Sequence, residues 1–130
     1  MVVADGKGIP LGVSLHSASP HEVTLADKTL ETLGAKPEHL VCDKGYDSDV
    51  FRSNLEKRGI ELVAPHRENR RKPKTQDGRA LRRYKRRWKI ERTIAWLGNY
   101  RRLVTRWERN DRMYQAFLHI ACALITCNSL

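Results

Sequence analysis

The stretch His39-Leu40-Val41-Cys42-Asp43-Lys44-Gly45-Tyr46-Asp47 decides the fold class of this chain of 130 residues. His39 to Cys42 predicts a short buried strand that ends in the carboxylate of Asp43, and Gly45 lets the chain turn sharply just after it. Parallel α/β folds place reacting groups at that end of a strand, which makes Asp43 a candidate metal ligand. The competing role is a turn cap, the role expected for Asp47 and Asp49.

Downstream of this stretch, Ser48 or Asp47 caps a helix predicted over Val50 to Lys57 that closes at Arg58-Gly59. Ile60 to Ala64 is the next strand, halted by Pro65. Upstream, Met1 to Ala4 and Ile9 to His16 form a hairpin around Asp5-Gly6-Lys7-Gly8. Apolar residues at Val23, Leu25, Ala26, Leu30 and Leu33 predict a helix from His21-Glu22 to Leu33, with Gly34 as its stop. Residues 66–79, which include Pro73 and Gly78, carry charge of mostly one sign and are expected to be mobile without a partner. Long helices follow, and neither repeats nor a linker divides the chain. The class is α/β.

Charge is distributed unevenly. The formal net charge is +10, but residues 1–66 carry −3 and residues 67–130 carry +13. Residues 67–92 alone hold 13 basic against 3 acidic side chains, a one-sided density that attracts phosphate by counterion release. DNA or RNA is the expected partner; a solvated basic helix is the bland alternative. The three cysteines, Cys42, Cys122 and Cys127, lie in apolar surroundings, as befits reduced thiols in a cytoplasmic protein. His119, Cys122 and Cys127 lack the paired spacing of a zinc site. The apolar run Met113 to Cys127 is too short to span a bilayer and predicts a buried helix, so no membrane partner is expected.

Within the basic block, Tyr84-Lys85-Arg86-Arg87-Trp88-Lys89-Ile90-Glu91-Arg92 is expected to be one helix. At about 100° per residue, Tyr84, Arg87 and Glu91 fall within roughly 60° of one another, with Trp88 alongside. Lys85, Lys89 and Arg92 form a neighbouring basic face, to which Arg82 and Arg86 add charge, while Ile90, Ile94 and Leu97 make an apolar stripe for docking on a core. An Asp43–Glu91 pair suits a hard divalent cation, since Mg²⁺ prefers oxygen ligands and leaves room for phosphates.

Asp43-Lys44-Gly45-Tyr46-Asp47 followed by Tyr84-x2-Arg87-x3-Glu91 resembles the second and third acidic boxes of DDE-type insertion-sequence transposases. Tyr100-Arg101-Arg102-Leu103-Val104-Thr105-Arg106-Trp107-Glu108 resembles their closing segment, and Ala4 to Leu11 with His21-Glu22 is similar to their second and third strands. The resemblance covers essentially the whole chain. It implies an RNase H-like mixed sheet with flanking helices, lacking the first, central strand, plus long C-terminal helices. It also implies a two-metal reaction with Mg²⁺ or Mn²⁺, in which Asp43 and Glu91 hold metal and water or a DNA 3′-hydroxyl attacks a phosphodiester in line. Tyr84 and Arg87 are then expected near the scissile phosphate, and Arg82, Lys85, Arg86, Lys89, Arg92, Arg101 and Arg102 against DNA at terminal inverted repeats.

Two departures from the family matter. The Lys usual seven residues after the Glu is Gly98 here, so the phosphate contact expected of it either comes from elsewhere, with Arg101 or Arg102 as the candidates, or is absent. The family's first Asp lies on a strand expected upstream of Met1, and Asp5 already has a structural reason to be in its hairpin turn. Residues 1–130 are therefore expected to be a partial transposase catalytic domain. They would be either a second reading frame whose full enzyme is made by frameshifting or a decayed remnant, partnered by an upstream-frame segment or by further copies of itself. A catalytically inactive DNA-binding regulator of transposition and an RNA-binding module are the alternatives; no aromatic strand signature supports the latter.

Overall fold

The computed structural model describes residues 1–17, 20–76 and 78–129, and these divide into two compact units. Unit 1 comprises Met1–Pro20, Leu25–Gly34 and Trp88–Leu130; unit 2 comprises His21–Thr24 and Ala35–Arg87.

Unit 1 opens with the expected hairpin. β1 (Val2–Ala4) pairs antiparallel with β2 (Pro10–Val13), with an irregularity between Val3 and Ala4. The turn forms because Asp5 Oδ1 accepts from the N–H groups of Lys7 at 2.7 Å and Ile9 at 2.9 Å, while Gly8 adopts a left-handed φ of 85°. Asp5 thus has the structural role expected of it. Besides the segment Leu25–Gly34, the unit contains helices α4 (Trp88–Leu97), α5 (Arg101–Val104) and α6 (Asp111–Cys127). Val13, Leu97, Ala121, Cys122 and Ile125 form its buried core, with Trp96, Tyr100, Leu103 and Leu118 packed against them. α6 is capped by Asn110, whose side chain accepts from the Arg112 N–H at 2.9 Å. Only one side of α6 is buried; Met113, Ile120 and Leu124 are exposed, so the helix is half-buried rather than buried all round.

In unit 2, β3 (His39–Val41) pairs parallel with β4 (Glu61–Val63), joined through α2 (Asp49–Lys57). Ser48 caps α2, accepting from the Phe51 N–H, and Gly59 closes it with a φ of 69°. Leu55, Ile60, Leu62, Val63 and Ala64 are almost completely buried, so the core lies between α2 and β4.

Four expectations need correction. The strands form two two-stranded sheets rather than one mixed sheet, because no strand among the described residues bonds to the second edge of β1 or of β3. For the same reason β3 is not buried: His39 and Val41 are exposed. Helix α1 (Glu22–Leu30) stops short of Leu33, as the Thr32 hydroxyl donates to the Thr29 carbonyl at 2.7 Å and the chain tightens into three-residue turns. The stretch from Tyr84 to Arg92 is broken: α3 (Leu81–Tyr84) ends, and the N–H groups of Arg86 and Arg87 bond three residues back, to Arg83 and Tyr84, before α4 begins at Trp88. Like charges at three- and four-residue spacing oppose a continuous helix here.

Candidate functional site

Asp43 follows β3 and caps the single 3₁₀ turn Lys44–Tyr46, its Oδ1 accepting from the Lys44 N–H at 2.7 Å. The turn-cap role weighed from the sequence is thus met by this residue. The Tyr84 hydroxyl donates to the same oxygen at 3.3 Å, and the Arg87 guanidinium stands 3.6 Å from Oδ2. Arg87 also lies over the Tyr84 ring, 5.7 Å from its centroid. The carboxyl side chain remains 50% exposed and so accessible to solvent. Just before it, burial and the neighbouring Asp43 charge push the Cys42 thiol up to about 12, so it stays a neutral thiol at physiological pH.

A network that the sequence did not announce holds this turn in place. The side chain of Asp47 is only 2% exposed and takes Nδ1 of His66 at 2.8 Å, the Arg67 N–H at 2.9 Å and Nη1 of Arg70 at 3.3 Å. Arg67 then donates to the Gly45 carbonyl at 2.8 Å, and Arg70 bonds Asp49 at 2.7 Å. Nε2 of His66 accepts from the Thr75 N–H at 3.1 Å, which puts the proton of the neutral ring on Nδ1, facing Asp47. Arg52, beneath, donates to the Leu62 carbonyl at 2.7 Å and to Gln76 at 3.4 Å. Burial by itself would raise the Asp47 carboxyl, but hydrogen bonds from Arg67 and His66 and the Arg70 charge outweigh it and hold the group below its ordinary value. Residues 66–76 are accordingly pinned, not a loose tether as expected. The partners lie 19 to 23 residues from Asp47 with no spacing motif between them, so the network emerges only in the folded chain.

Glu91 belongs to the other unit. It is exposed in the first turn of α4, where a carboxylate also favours the positive end of the helix dipole. The basic face expected around it is largely committed. Lys89 donates to the Gly6 carbonyl, Arg92 to the Lys7 carbonyl and Thr93 to the Gly8 carbonyl, so α4 clasps the hairpin turn. The Arg92 guanidinium lies over both Trp88, at 5.0 Å, and Trp96, at 4.7 Å. The buried stripe of α4 is Thr93 and Leu97, with Ile94 exposed, because the helix docks through this clasp. Arg82, Lys85, Arg86 and Arg101 stay exposed, and Arg102, also exposed, pairs with Glu108 at 2.8 Å. Among the described residues, no three His, Cys, Asp or Glu side chains are grouped to hold a metal ion.

The family model described as a transposase DDE domain matches residues 1–126. This chain belongs to that family. Two relatives are named as insertion-sequence transposases. One, from Burkholderia cepacia and named as a transposase for insertion sequence element IS402, is 37% identical over 139 aligned positions that take in 99% of this chain. The other, from Brucella ovis and named as a transposase for insertion sequence element IS6501, is 32% identical over 127 positions and 95% of this chain. This DDE chain spans 62% of the length of the first relative and 92% of the second. No solved structure matches it, and among the described residues no helix is long and apolar enough to cross a membrane.

Proposed function

We propose that this chain is the catalytic part of an insertion-sequence transposase, acting on DNA at the element's terminal inverted repeats, with Asp43 and Glu91 as its metal-binding carboxylates in an RNase H-like framework. The observation that carries this reading is the convergence of Tyr84 and Arg87 on the Asp43 carboxylate within one unit. The donor chemistry fits a hard cation. Asp43 is half-exposed, with Oδ2 beyond hydrogen-bond distance of Arg87, and Glu91 is exposed. Carboxylate oxygens of this kind suit Mg²⁺ or Mn²⁺. A cation held there would neutralise charge on the phosphate and promote attack by water or a 3′-hydroxyl.

The chain's own residues supply the rest. Arg87 presents a permanently charged fork that matches two phosphate oxygens. Asp43 orients the Tyr84 hydroxyl and the Arg87 guanidinium, and both donors would be available to a substrate phosphate if the carboxylate were to hold a cation. Exposed Arg82, Lys85 and Arg86 add attraction to the backbone without reading sequence.

The test is made in the complete transposase carrying this domain. Asp43→Ala and Glu91→Ala should each abolish cleavage of inverted-repeat DNA in Mg²⁺ and in Mn²⁺ while duplex binding persists. Cleavage retained by either variant removes that residue from the site. Cleavage and binding lost together would mean a DNA-contact role instead. Duplex binding by a wild-type protein that never cleaves would favour the non-catalytic regulator.

A further inference from the structure

The closing segment Tyr100 to Glu108 has no part in the chemistry proposed at Asp43 and Glu91, yet it is braced in detail. The Tyr114 hydroxyl donates to the Leu103 carbonyl at 2.8 Å, tying α5 to α6. Arg102 pairs with the nearly buried Glu108 at 2.8 Å, and its guanidinium lies 5.5 Å from the Phe117 ring centroid. Arg106 bonds the Glu108 carbonyl at 3.0 Å, pairs with Asp111 and lies over Tyr114. Within this fixed frame Trp107 points outward, 69% exposed against 51% for Trp88. Arg101, Arg102 and Trp107 line an open depression of about 260 Å³. That is smaller than the roughly 300–1,000 Å³ of drug-sized ligand sites. A flat ring between cationic rims suits a single aromatic base with its phosphate.

We infer that Arg101, Arg102 and Trp107 form a seat for one unpaired nucleotide of a DNA strand, its base stacked on the Trp107 indole and its phosphate held by the arginines. The inference rests on the reading of this protein as DNA-binding and adds a site for single-stranded DNA apart from the carboxylates. Stacking on an exposed indole accepts any base, because every base has a π-face. Bases inside a duplex are stacked on both faces and offer no such face, and a blunt end offers only that of a terminal base still held in its pair, so the seat favours unpaired over paired DNA. The arginines contribute phosphate contacts in either case.

The experiment compares the whole chain's affinity for a blunt duplex and for the same duplex with a short 3′ single-stranded extension whose first unpaired base is 2-aminopurine. The wild type should bind the extended probe more tightly and quench the 2-aminopurine. Trp107→Ala should erase that advantage, roughly 5- to 100-fold for one stacked base, and the quenching, with blunt-duplex affinity unchanged. Trp107→Phe should keep most of both. Circular dichroism confirms that each variant is folded. Equal affinity of the wild type for both probes, or parallel losses on both probes in Trp107→Ala, overturns the seat. A Trp107→Ala variant that changes oligomeric state while still discriminating the probes assigns the ring to a protein contact and also overturns it. Failure of the wild type to bind even the blunt duplex is a separate result, which overturns the DNA-binding reading and the seat with it.

Discussion

Asp47 is the residue whose loss should cost most in unit 2, since its buried carboxylate is shared by His66, Arg67 and Arg70. Asp47→Ala would leave His66 Nδ1, the Arg67 N–H and the Arg70 guanidinium without this acceptor, so stability should fall. Asp47→Asn keeps an acceptor for the Arg67 N–H and should cost less. The carboxyl is held below its ordinary value, so its stabilising contribution is complete above the unfolded pKa of about 3.9 and disappears as pH falls through the folded value. Urea unfolding at a series of pH values should therefore show stability falling below about pH 4 in the wild type and a shallower fall in Asp47→Asn. Equal slopes in the two would mean that Asp47 does not control the acid limb. This role was not legible in the sequence. Asp47 looked like one more turn carboxylate, and a buried charge network over 19 residues leaves no local trace.

At the scale of elements, local chemistry was legible and long-range commitment was not. Asp5 with Gly8, Ser48 before α2 and Gly59 after it announced a turn, a cap and a stop, because each satisfies backbone groups within a few residues. The placement of Asp43 at a strand end was legible for the same reason. The face of α4 was not, because helical spacing groups Ile90, Ile94 and Leu97 but cannot show that Lys89, Arg92 and Thr93 donate to a turn more than 80 residues away. That clasp makes Gly8 a sensitive position. An added Cβ would meet Arg92 Nη2 at 3.1 Å, the Lys89 carbonyl at 3.2 Å and Thr93 Oγ1 at 3.3 Å, on a backbone with φ of 85°. Gly8→Ala should lower stability by about 1–3 kcal/mol, read as a lower urea midpoint. An unchanged midpoint would show that the turn and α4 are not locked together.

Across the whole molecule the charge is divided so that residues 67–130 carry +13 and residues 1–66 carry −3, yet the structure shows that the basic residues do not all serve the same purpose. Arg52, Arg70 and Arg92 are spent on internal acceptors, and Lys89 is tied to the Gly6 carbonyl. Arg82, Lys85 and Arg86 are exposed around the break between α3 and α4, so they are among the cations that can release counterions from DNA. Replacing these three with Gln should leave folding intact, and the plot of log affinity against log salt for a duplex should flatten by up to about 0.9 for each phosphate no longer neutralised. Replacing Lys89 and Arg92 should act differently. The hairpin turn loses its clasp, so stability falls, and the salt slope of whatever protein stays folded changes little. Measuring both sets by fluorescence anisotropy between about 50 and 200 mM salt, the range over which phosphate neutralisation dominates, separates the two roles. If the Lys89 and Arg92 variant flattens the slope as much as the exposed set does, α4 presents its charge to DNA, and the clasp seen at Gly6 and Lys7 opens on binding.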